Sequence, residues 1–182
     1  MMVIGSLMIE HRLIERMVNI LDKELQRAGK NGIINPADLD SFVEFMRVYA
    51  DKCHHGKEEG ILFAELGRKD VSREHRKVIL ELVSDHIFGR SQVAKLVALN
   101  ADYKAGDKGK LKEITEVFSG LAVFYTAHIR KEDKDFFIPV MRYFSPAEHQ
   151  AMLKASNEFD SNMDLAKYQE MVVSMEKTLK SL

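Results

Sequence analysis

Apolar residues recur along this chain at the three- to four-residue spacing of an amphipathic helix, and turn-forming residues interrupt the pattern at intervals. The first periodic segment, 5–28, has Ile4, Leu7, Met8, His11, Ile14, Val18, Leu21 and Leu25 on or beside one stripe. A second runs over 36–66. The third, 72–103, carries Ile79, Leu82, Val83, His86, Val93, Leu96 and Val97. The fourth, 109–143, carries Val117, Phe118, Leu121, Phe124, Tyr125, His128 and Phe136. Shorter segments follow over 146–157 and 163–181. Strand-like alternation is hard to find.

The breaks have their own chemistry. In GKNGIINP (29–36), Asn35 is an N-cap and Pro36 sits at the first helical position, where its missing N–H costs nothing. A short break falls over 67–71, and AGDKG (105–109) makes another. SPAE (145–148) is a capping box, with Ser145 as cap and Glu148 three residues on. Short loops between long helices make sequential neighbours antiparallel. The expected fold is therefore all-α: an up-down-up-down four-helix bundle over 1–143, with one or two C-terminal helices (144–182) packed across its outside or end. Pro139 should kink the fourth helix.

Composition narrows the function. With 46% apolar and 30% charged residues in 182, the chain has an ordinary globular balance and room for a real core. A net charge of −1 gives no reason to expect nucleic acid or a membrane surface as partner. A single cysteine, Cys53, precludes an internal disulfide and fits a reducing compartment. The first residues lack the basic start of a signal peptide, and no apolar run approaches the roughly 20 residues of a membrane span. The expected location is cytoplasmic.

The histidines carry the chemistry. One histidine on an apolar stripe is ordinarily a hydrogen-bonded core residue. Here His11, His54, His86 and His128 lie on the inner faces of four successive segments. Counting to the intervening loops gives about 18 residues from His11 and about 18 to His54, then about 13 and 14 to His86, then about 18 and 19 to His128. At about 1.5 Å rise per residue, all four imidazoles meet in one layer. Buried imidazoles and carboxylates are costly unless paired or coordinated.

Glutamates follow the same pattern. With 16 glutamates in the chain, seven histidines should meet a glutamate four residues on about 0.6 times by chance. Four do: His11–Glu15, His54–Glu58, His55–Glu59 and His128–Glu132. The face of His54 carries Val43, Met46, Ala50, Cys53 and Ile61, so His54 and Glu58 point inward, with His55 and Glu59 at the edge. Glu15 is as suited to the surface as to the site. His75 belongs to the first turn of the third segment, and His149 is expected to be exposed. Gly56 and Gly60 are out of place, since each costs a helix interior about 1 kcal/mol relative to Ala.

Imidazole with carboxylate suits Fe, Mn or Zn. Six donors exceed the needs of one tetrahedral zinc. Two metals fit better: with both glutamates bridging, each has two nitrogens and two oxygens. An oxo or hydroxo bridge makes five, and one position stays open for a diatomic ligand. The expected cofactor is two non-haem Fe ions with such a bridge, Mn or Zn being possible substitutes.

HHGKEEGILF and HIRKEDKDFFIP resemble the paired H-x-x-x-E signatures of hemerythrin-like (HHE, cation-binding) domains. EHRLIER around His11 and DHIFGR around His86 resemble that family's first- and third-helix motifs, and the likeness spans nearly all of 5–143. It implies a four-helix bundle with a di-iron centre that binds oxygen or responds to oxygen, iron or nitric oxide, ligated by His11, His54, Glu58, His86, His128 and Glu132. Oxygen-carrying members have a further histidine four residues before the third-helix one, where this chain has Leu82. They also have a carboxylate five residues after the last histidine, a spacing Asp133 matches, while Glu132 matches the HHE spacing.

The leading expectation is a protein that binds or senses O2, NO or iron. The alternative is a di-iron enzyme that reduces peroxide or NO, or donates iron, and whether the chain is an enzyme stays open. The sequence contains no nucleotide-binding glycine loop or CxxC motif. Electrons would then come from a separate protein. Partners are accordingly a diatomic gas or peroxide, with an electron-transfer or signalling protein. A metal-free interaction module is disfavoured by the convergence of the histidines.

Overall fold

A computed structural model describes residues 2–181 as six helices joined by short turns, with no strand among the described residues. They are α1 (Val3–Asn31), α2 (36–66), α3 (Arg73–Lys104), α4 (110–140), α5 (Pro146–Asp160) and α6 (Leu165–Ser181). α3 packs along both α2 and α4, and α1 along α4, closing a four-helix bundle. No helix among the described residues is long and apolar enough to cross a membrane.

The helix ends follow local chemistry. α1 stops at Gly32, whose φ of 71° is the left-handed conformation that glycine adopts without strain. Asn35 caps α2 by accepting from the Ala37 N–H, with Pro36 behind it. Ser72 caps α3 through the His75 N–H. The Ser145–Glu148 capping box opens α5.

Two apolar clusters fill the bundle. One gathers Leu21, Leu39, Phe42, Phe45, Phe118 and Tyr103, towards the α1–α2 turn. The other gathers Leu7, Leu62, Leu66, Leu82, Phe136 and Phe137 at the opposite end. Burying a side chain such as Phe42 or Leu7 contributes about 1.5–3 kcal/mol. Between the clusters lies a buried polar layer containing His11, His54, His86 and His128.

Two helices depart from regular winding at that layer. α2 is π-wound over Met46–His55 and Glu58–Phe63, and α4 over Lys131–Phe136. Pro139 has no N–H to offer the carbonyl four residues before it, so the expected distortion of α4 falls in the turn ahead of the proline. There Phe136 has φ −120°. After Val140 the chain tightens into a 3₁₀ turn, Met141–Tyr143.

The C-terminal helices close on α1 and α2. α6 buries Tyr168 and Val172 in the larger cluster, with Met171 and Met175 packed beside them. Tyr168 meets the rings of Phe45 and Tyr49, and Arg16 grips Glu176 through two 2.9 Å hydrogen bonds. α5 crosses α1 and the second half of α2.

Candidate metal centre

Each bundle helix delivers at least one side chain to the polar layer. α1 gives His11, α2 gives His54 and Glu58, α3 gives His86, and α4 gives His128 and Glu132, all at most 3% exposed. The ring centroids of His11 and His54 are 4.5 Å apart, and those of His86 and His128 5.1 Å. The structure thus brings together all six residues singled out by motif and spacing.

The two glutamates lie between the imidazoles. Glu58 Oε1 is 3.3 Å from His54 Nε2, and its Oε2 is 3.3 Å from His86 Nε2. Glu132 Oε2 lies 3.1 Å from His11 Nε2 and 3.3 Å from His128 Nε2, while its Oε1 faces His86 Nε2 at 3.9 Å. These atoms face one another without forming hydrogen bonds. The Nε2 atoms of His11, His54, His86 and His128 and all four glutamate oxygens are buried and have no hydrogen-bond partner. An orphaned buried polar atom costs about 1–3 kcal/mol, so eight in one layer call for something to bind.

The other ring nitrogen of each histidine is fully provided for. His11 Nδ1 pairs with Asp133 at 2.7 Å, His54 Nδ1 with Glu10 at 2.9 Å, and His86 Nδ1 with Glu59 at 2.7 Å. His128 Nδ1 lies 3.3 Å from Asp85. A carboxylate only accepts, so Nδ1 carries a proton and Nε2 is left to face inward, where it offers a lone pair once its own proton is lost. A carboxylate behind a histidine is the usual support of a metal-binding imidazole.

His55 departs from its expected place at the edge. It is 3% exposed, its ring stacks on His86 with centroids 3.8 Å apart, and Asp51 supports its Nδ1 at 3.3 Å. The potential donor atoms fall into two groups, His11 with His54, Glu58 and Glu132, and His55 with His86 and His128, each within 4.8 Å. Burial pushes the His55 pKa down to about 4, leaving a neutral nitrogen donor.

The physical reason is the winding of α2. A π turn holds more residues than an α turn, so consecutive side chains diverge less around the axis. His54 and His55 can then both face the layer. The same holds in α4, where Glu132 points into the centre and its neighbour Asp133 reaches His11 from outside. A strict 3.6-residue period misses such adjacent pairs, and Pro139 is the one sequence signal that α4 winds irregularly here.

Other candidates resolve differently. Glu15 pairs with Arg12 at 3.2 Å near the surface and does not reach the layer. Glu59 supports His86 and binds Arg90 at 2.8 Å, so it lies outside the centre. His75 sits in the first turn of α3 with Nδ1 2.8 Å from the Tyr143 hydroxyl. His149, expected to be exposed, is half-buried against Phe144. Gly56 has a structural role, because a β-carbon there would lie 3.1 Å from the Phe159 ring; at Gly60 nothing is near. Burial raises the Cys53 thiol pKa to about 12, so it is an inert core thiol.

Electrostatics fit a cation. Burial alone would lower the pKa of His54 and His86, but the facing glutamates outweigh it and lift both to about 10 in the metal-free protein. Burial would raise Glu58 and Glu132, yet the surrounding imidazoles pull both down. The glutamates therefore stay ionised, and a cation can replace the protons that His54 and His86 hold between them.

A family model described as the hemerythrin HHE cation-binding domain matches residues 2–138. The chain belongs to that family. Its match covers the four-helix bundle and leaves α5 and α6 outside. Neither the curated proteins nor the solved structures contain a significant match. For a hemerythrin-like cation-binding domain, the buried His/Glu layer is the part of the fold whose chemistry suits a metal.

Proposed function

We propose that this hemerythrin-like domain holds two non-haem iron ions and uses them to bind or sense O2, NO or iron. The observation that carries the reading is the set of eight inward, unpartnered nitrogen and oxygen donors, each imidazole among them backed by a carboxylate. Imidazole and carboxylate donors suit Fe, Mn or Zn. Two groups of donors, with Glu58 and Glu132 reaching imidazoles of both, suit two ions better than one. In this reading His11 and His54 would hold one ion and His86 and His128 the other, with Glu58 and Glu132 available to both. His55 is a fifth imidazole on the second side. It occupies from α2 the role that a histidine at the position of Leu82 would play from α3.

Bound iron supplies an open coordination position and a change of oxidation state. The chain's own residues supply the rest. Asp133, Glu10, Glu59 and Asp85 hold the imidazoles in the binding tautomer, and the flanking apolar clusters limit water. A cavity of about 470 Å³ between α2 and α3, lined by Arg47, Asp51, His55, Arg90 and Tyr125 among others, offers small ligands a route to His55. A second reading, a di-iron enzyme reducing peroxide or NO with electrons from a separate protein, would use the same cavity for its substrate.

Metal analysis of anaerobically purified protein tests the centre: we expect about two irons per chain. One zinc, or no metal after incubation with Fe2+, would overturn it. Rapid mixing of the reduced protein with O2, NO or peroxide then separates reversible binding from turnover.

A further inference from the structure

The end of α5 reaches the back of the centre. Lys57, between His54 and Glu58 in sequence and fully buried, donates to Glu10 and, at 2.5 Å, to Asp160 at the last position of α5. Glu10 is the carboxylate that holds His54 Nδ1 through its other oxygen. The Cys53 thiol lies 3.6 Å from the same Asp160 oxygen, and the neighbouring Phe159 ring seats on Gly56. A continuous relay therefore runs Asp160–Lys57–Glu10–His54, from a helix outside the family match into the polar layer.

The relay has a physical logic. A buried ammonium needs more than one acceptor. Asp160 supplies the second. Without it, Lys57 would depend on Glu10 alone and compete with His54 for that carboxylate. We propose that Asp160 is a positioning residue of the metal centre: by sharing Lys57, it leaves Glu10 free to orient the His54 imidazole for metal. The C-terminal extension is then a working part of the site. This rests on the reading of His54 as a ligand.

The test is anaerobic titration of the full chain with Co2+, whose visible spectrum reports coordination, alongside the melting temperature of the metal-free protein. Asp160→Asn should weaken the binding step that involves His11 and His54 by about tenfold, the low end of what loss of such support costs, and leave the other step unchanged. Glu10→Gln should weaken the same step, and combining the two should add little, because both act through one carboxylate. Lys57→Met with Asp160→Leu removes the competitor for Glu10 together with its partner, and should restore affinity to the wild-type range; it also carries the test if Asp160→Asn does not fold. Lys154→Ala, on the exposed side of α5, is the control and should change nothing. Unchanged affinity in Asp160→Asn, additive losses with Glu10→Gln, or equal weakening of both steps together with a lower metal-free melting temperature would each overturn the proposal. They would show that Asp160 only anchors the helix. Failure of the wild-type chain to bind Co2+ would instead remove the metal reading itself.

Discussion

Glu58 and Glu59 are adjacent carboxylates with different neighbours. Glu58 has both oxygens buried between His54 and His86, while Glu59 sits a third exposed and pairs with Arg90. We expect Glu58→Ala to abolish stoichiometric iron binding, and Glu59→Ala to retain it with affinity reduced about 10- to 100-fold, since Glu59 only orients His86. Equal losses in the two variants would count against the proposed role of Glu58 as a metal ligand. The raised pKa of His54 and His86 gives a pH signature. A group whose pKa is raised on folding contributes stability that is complete below its unfolded value and lost as pH rises through the folded one. The metal-free protein should therefore lose stability between pH 6.5 and about 10, the window set by these two imidazoles. Denaturant melts across that range check it. Conversely, loading metal near neutral pH should release protons from His54 and His86, detectable with an indicator dye in weak buffer.

Within α2, the two unexpected glycines separate cleanly. A methyl at Gly60 meets nothing, so Gly60→Ala should stabilise the protein by about 0.5–1 kcal/mol through reduced backbone entropy of the unfolded chain. At Gly56 the same gain is opposed by the Phe159 ring, and Gly56→Ala should stabilise less than Gly60→Ala or destabilise. Chemical denaturation of both variants measures the difference; a larger gain at position 56 would show that α5 does not bear on α2 there. The π winding of α2 and α4 is itself an element-scale device. It turns pairs of consecutive residues, His54 with His55 and Glu132 with Asp133, towards one layer.

Across the whole molecule, the polar layer trades stability for binding. Glu58 and Glu132 repel one another at the centre, and eight buried donors have no hydrogen-bond partner. The apolar clusters on either side must hold such a layer together when no cation is present. A bound cation adds stability by mass action, about 2.7 kcal/mol at a free concentration 100 times the Kd. Stripping the protein with a chelator should therefore lower its melting temperature, and Fe2+ should restore it. No shift on metal removal would mean that the layer is satisfied without a cation.

Much of this was legible in the chain itself. Apolar periodicity and cap residues such as Asn35, Ser145 and Glu148 determine the helices, because those signals are local. Loop counts place His11, His54, His86 and His128 at one height, since the rise of a helix is constant. The i to i+4 spacing sets Glu58 beside His54 and Glu132 beside His128 for the same reason, and the apolar face around His54 separates Glu58 from Glu59. What only the tertiary structure decided depends on distant contacts or on departures from regular winding. His55 moves inward because α2 widens into π turns, Asp133 supports His11 from 122 residues away, and Gly56 makes room for a ring on α5. The Asp160–Lys57–Glu10 relay joins three separate helices, and no periodicity in any one of them records that they meet.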